Sequence, residues 1–142
     1  MALDVSLLNL MQNLTPAVVA TVNEGKPYTT FITWLIAKDE NTLRMAVSTN
    51  ATTTNNIRQN PNVSIEVFGE GIASSIVGEA KVIKEEIENI PFPVAVIEVK
   101  VKEVINNLFP GATVKGTIPF EHTGNIEKAE ELDSLVLKAL KE

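Results

Sequence analysis

Apolar residues recur at helical spacing near the start of the chain and at every second position through much of its middle. Val5, Leu7, Leu8, Leu10, Met11 and Leu14 share one face of a helix over residues 4–14, with Asp4 or Ser6 able to cap its start. Met11 belongs to that packing stripe. Residues 17–22, AVVATV, are an unbroken run of small and branched side chains, the pattern of a strand buried on both faces. Asn23, Glu24, Gly25 and Lys26 supply a hairpin turn in which Gly25 is free to take positive φ. Residues 27–37, PYTTFITWLIA, then read as one long strand, antiparallel to the first, with Tyr28 and Trp34 on one face. A polar turn leads to a third strand at 42–48, where Leu43, Met45 and Val47 alternate with Arg44, Ala46 and Ser48.

The second half continues the pattern. Residues 55–59 are long enough for about two helical turns before Asn60 and Pro61 stop them. Strands follow at 63–68, 72–83 and 94–105, the last being the clearest half-exposed alternation: Ile97, Val99 and Val101 against Glu98, Lys100 and Lys102. Between the last two strands, residues 84–89 read as a short acidic helix whose Glu85, Glu86 and Glu88 form a solvated face, ended by Pro91 and Pro93. Residues 106–124 are broken by Pro110, Gly111, Gly116, Pro119 and Gly124 and read as a loop with a short extended piece at 112–114. Asn125 caps a closing helix to residue 141, with Ile126, Ala129, Leu132, Leu135, Val136, Ala139 and Leu140 on its apolar face. The expected fold is mainly β with flanking helices: one domain over residues 1–142, holding a six-stranded antiparallel barrel over residues 17–105, closed or nearly closed.

Composition narrows the partners. A chain of 142 residues with 44% hydrophobic residues can build a real core. A net charge of −6, with 12 scattered basic residues, argues against a nucleic-acid surface. The chain has no cysteine, which excludes thiolate catalysis and thiolate-held metals. The first residues lack a basic segment and a cleavage pattern, and no apolar run is long enough to cross a bilayer, so the expected location is cytoplasmic. No metal-ligand spacing is visible. His122, the single histidine, lies in the Gly/Pro-broken loop and is assigned no role. Trp34 is expected in the core or at a subunit interface.

The stretch with the most chemistry lies between the third and fourth strands. Ser48, Thr49, Asn50, Thr52, Thr53 and Thr54 crowd small hydrogen-bonding side chains just before a helix. Such residues are ordinary helix caps. They would equally make, with the free N–H groups of a helix start, an anion site.

The order of these features resembles the pyridoxamine phosphate oxidase-like, FMN-binding split barrels. In that family a strand pair, here running from Gly25-Lys26-Pro27-Tyr28 through Leu43-Arg44-Met45, is followed by a Ser/Thr-rich turn. A short helix ending in an Asn-Pro exit comes next, here Asn56-Ile57-Arg58-Gln59-Asn60-Pro61, and then a further strand. The resemblance runs from about Thr15 to Val101, and Gly78-Glu79-Ala80 fits a strand that crosses the barrel. It implies a split-barrel flavoprotein with FMN as cofactor, whose phosphate contacts are Ser48, Thr49, Thr52 and Thr53 and whose ring contacts lie on Thr30, Phe31, Ile32 and Thr33. It also implies a homodimer, because the flavin groove of the family lies between two subunits, and an oxidoreductase in which the cofactor does most of the chemistry, with no separate catalytic acid or base to name. Many relatives place a lysine in the phosphate turn; this chain has Thr52, Thr53 and Thr54, and its nearest cations are Arg44 and Arg58. Two other readings remain: a flavin or small-ligand binding module without turnover, and a structural dimer with a vacant groove.

Overall fold

A computed structural model describes residues 2–142. Its elements are α1 (Val5–Leu10), β1 (Ala17–Asn23), β2 (Lys26–Ile32), β3 (Leu35–Asp39), β4 (Thr42–Ser48), α2 (Thr52–Gln59), β5 (Asn62–Gly69), β6 (Ile72–Lys84), β7 (Val94–Asn106) and α3 (Ile126–Lys141). The strands form one antiparallel sheet in the order β2-β1-β5-β6-β7-β4-β3.

That order corrects the expected barrel of six strands. The stretch at 27–37 is two strands, and they lie at opposite edges of a seven-stranded sheet with no ladder between them. Only Thr33 and Trp34 join those edges. Three residue steps span at most about 11 Å, so the sheet must curl until its edges approach, leaving an open seam. Residues just before β1 occupy part of that seam: Thr15 N donates to Leu35 O and Ala37 N donates to Met11 O. These bonds satisfy part of β3's free edge. They also explain why the first helix stops at Leu10 rather than at residue 14, since Met11 and the residues after it serve β3.

The interior is filled by Met11, Val19, Leu35, Met45, Ile65, Ile76, Ile97 and Val99, each fully buried. Leu3 and Leu7 enter this core from α1 and its lead-in, and Ile57 from α2. A second cluster lies outside the sheet, where Val136 and Leu140 of α3 cover Ile36, Ala46, Val94 and Val96. Leu35 and Ile36 are therefore both buried although they point to opposite faces. By contrast β1 alternates between buried and half-buried positions, because no helix covers its outer face. The acidic stretch at 84–89 forms no helix, and residues 112–114 form no strand. Asn125 caps α3 as expected, its side chain accepting from Lys128 N.

Beneath α3, Arg44 donates through Nε and Nη2 to Glu98, at 3.2 and 3.1 Å, and Nη1 reaches Leu140 O. The side chains are only 16% and 19% exposed. Removing one partner leaves the other charge poorly solvated, so Glu98→Ala should cost about 2 kcal/mol, less than a fully buried pair would. Urea unfolding with an unchanged slope and an earlier midpoint would show this; an unchanged midpoint would mean that water already compensates Arg44.

Candidate functional site

The turn after β4 does not cap α2. Ala51 is the N-cap residue, and among the described residues no side chain caps the helix start. The hydroxyls go elsewhere: Thr54 Oγ1 donates to Ser48 O at 2.7 Å and Thr49 Oγ1 donates to Glu85 O at 2.7 Å. A helix start has N–H groups without intrahelical partners, so here they remain for another acceptor. Ser48 and Thr52 are exposed and Thr49 is half-buried. Thr53 is 1% exposed, and its hydroxyl makes no hydrogen bond to any of the described residues. Since no fully buried polar atom lacks a partner among the described residues, that sliver of surface lies at Thr53 Oγ1. Asn56 Nδ2 donates to Thr21 Oγ1 at 3.0 Å, fixing α2 against β1.

The ring-contact stretch lies close to this turn. Ala46 N donates to Trp34 O at 2.9 Å, so the chain leaving β2 through Thr33 runs beside the end of β4 at Ser48. Phe31 is 49% exposed on the edge strand, Thr30 and Thr33 are half-buried, and Ile32 points into the core. Ile32 can therefore offer its backbone to a ligand but not its side chain.

Both arginines are paired. Arg44 lies under α3, and Arg58 forms a fork to Glu85 at 2.9 and 2.8 Å. That hydrogen bond, helped by the opposite charges, raises Arg58 above the ordinary guanidinium value and lowers Glu85 below the usual carboxylate range. The cradle thus consists of N–H and hydroxyl donors with no free guanidinium aimed into it. These donors match a phosphate or another oxyanion, each contributing modestly.

A row of side chains that the sequence does not signal borders the β2 face. Phe120 meets Phe31 edge-on at 6.2 Å and His122 at 6.0 Å. His122 Nε2 lies 2.9 Å from Asp133 Oδ2, and Asp133 Oδ1 accepts from Trp34 Nε1 at 2.7 Å. His122 is thus tied to α3 rather than loose on the surface, and Trp34 packs against the outer cluster. Tyr28 lies on β2 and Trp34 in the link between β2 and β3, so the shared face expected of one regular strand does not apply to them. A cleft of about 380 Å³ lies elsewhere, between α1 and β6, lined by Asp4, Ser6, Leu7 and Ser74. No helix among the described residues is long and apolar enough to cross a membrane.

Comparison with known proteins agrees with this architecture. The streptococcal protein HupZ, from Group A Streptococcus, is 22% identical, with a TM-score of 0.62, over 80% of this chain and 99% of its own. An F420 reductase is 18% identical, with a TM-score of 0.57, over 68% and 94% of the two chains. A FAD-binding protein from Mesorhizobium loti is 14% identical, with a TM-score of 0.56, over 73% and 94%. At such identities these likenesses establish the fold alone. No curated protein matches the chain. The sequence profile described as pyridoxamine 5'-phosphate oxidase matches residues 6–107, well over half of the chain and all seven strands, and the protein therefore belongs to the pyridoxamine 5'-phosphate oxidase family.

Proposed function

We propose that the protein is an FMN-binding oxidoreductase that works as a homodimer. The observation that carries this reading is the uncapped start of α2, with Ser48, Thr52 and Thr53 Oγ1 around it, next to the open face of β2. Family membership supports a flavin, as do the F420 reductase and the FAD-binding protein of the same fold. The helix N–H groups and hydroxyls bind the phosphate, and the backbone of Thr30, Phe31, Ile32 and Thr33 orients the ring system. Thr49 contributes through its position in the turn, because its hydroxyl proton is engaged by Glu85. A bound flavin supplies the electron transfer; the chain supplies orientation and a dry pocket.

The dimer follows from exposed apolar surface. Tyr28, Phe31 and Phe120 are 41%, 49% and 49% exposed, the first two on an edge strand. A second copy would cover that surface and complete the groove. Sedimentation should give a dimer at micromolar concentration, and a monomer throughout would remove half of each proposed site. The protein as isolated should be yellow with flavin absorbance, and a reduced nicotinamide cofactor should bleach it. Colour without bleaching would favour a binding module; a colourless protein that ignores added FMN would overturn the reading.

A further inference from the structure

The segment between β6 and β7, residues 85–93, wraps over the turn that carries the proposed phosphate contacts. Thr49 N donates to Pro93 O at 3.1 Å, and Thr49 Oγ1 donates to Glu85 O at 2.7 Å. Ile87, 6% exposed, anchors the segment in the outer cluster. The Glu85 side chain then reaches Arg58 in the last turn of α2 with both oxygens. The three polar contacts take donors that a phosphate near the turn would seek: a backbone N–H, a hydroxyl proton and a guanidinium fork. A carboxylate and a phosphate present the same paired oxygens to that fork.

We propose that Glu85 is a specificity-determining residue, a built-in competitor that occupies Arg58 and sets the site's preference against ligands ending in a doubly charged phosphate. This rests on the flavin reading above and deepens it. The Glu85 backbone touches Thr49 while its side chain touches Arg58, so the carboxylate lies within a side chain's length of the turn. There its negative charge opposes an incoming phosphate directly, besides holding Arg58, a cation on the helix whose start carries the proposed phosphate contacts. Arg58 and Glu85 are 34% and 62% exposed, and such a pair is cheap to open. Neutralising Glu85 therefore releases Arg58 without disturbing the fold.

FMN and riboflavin, which share the ring system and differ in the phosphate, are titrated by fluorescence quenching into wild-type, Glu85→Gln, Arg58→Gln and the double variant. Glu85→Gln should bind FMN about fivefold more tightly at low salt, with riboflavin unchanged and the gain shrinking in high salt. The gain should largely vanish in the Arg58→Gln background. Equal changes for both ligands would mean that the segment only shapes the groove, which overturns the proposal. So would an unchanged FMN affinity in Glu85→Gln, although the flavin reading would then stand. A full gain without Arg58 would reject the handover to that residue. Failure of every variant to bind either flavin would remove the flavin reading, and the proposal with it.

Discussion

Replacing Gly78 by alanine should destabilise the protein by about 3 kcal/mol, the largest single effect expected outside the core. A Cβ built on Gly78 would lie 2.2 Å from Lys100 O and 2.9 Å from Val99 Cγ1. The first of these atoms is backbone and cannot rotate away. The close approach follows from the irregular pairing of β6 with β7, whose register shifts between Val77 and Gly78 and leaves one extra residue on β7. Because β6 and β7 are the long central strands, separating them to admit a methyl group disturbs ladders on both sides. Gly116, with nothing within 4 Å of its virtual Cβ, supplies the contrast: alanine there should be nearly neutral. Urea unfolding of the two variants checks both, and a loss below about 0.5 kcal/mol for Gly78→Ala would show that the strands part readily at the bulge.

Replacing Thr52 by glutamate should weaken FMN binding by more than about tenfold while leaving riboflavin binding nearly intact, because a carboxylate would then face the phosphate at the helix start. Thr52 is the position to test. It is exposed, whereas Thr53 is 1% exposed, and a glutamate at 53 would have to bury its charge or unfold the turn. At the first position of α2 a carboxylate is favoured by the helix dipole, so the variant should fold at least as well as the wild type. Circular dichroism confirms the fold, and parallel titration of the two flavins reads the phosphate contribution alone. Equal losses for both would sink the assignment of the phosphate to this turn, and with it most of the case for FMN.

Patterns set within a few residues were legible in the chain. The alternation of Ile97, Val99 and Val101 with charged neighbours marks β7, Gly25 marks the β1–β2 hairpin, with φ of 74°, and Asn125 marks the start of α3. The Ser/Thr-rich turn and the Asn-Pro exit of α2 likewise announced the family to which the chain belongs. These signals survive because each depends on local backbone geometry or on burial of a single face.

What the tertiary structure decided depends on partners far along the chain. No period separates β2 from β3, because α3 covers the outer face of β3 and Leu35 and Ile36 are buried in different clusters. The carboxylate that joins His122 to Trp34 comes from Asp133, 99 positions beyond Trp34. The Thr49 hydroxyl, which composition alone would make a cap, is taken by Glu85 O, 36 residues away. The sequence determined a mainly β chain with a hydroxyl-rich helix start; only the folded sheet, curled because two residues join its edges, decided which of those hydroxyls stay free and which cation Glu85 takes. The physical reason is that local propensity acts through neighbours in the chain, whereas pairing of charges and filling of a second sheet face are settled by neighbours in space.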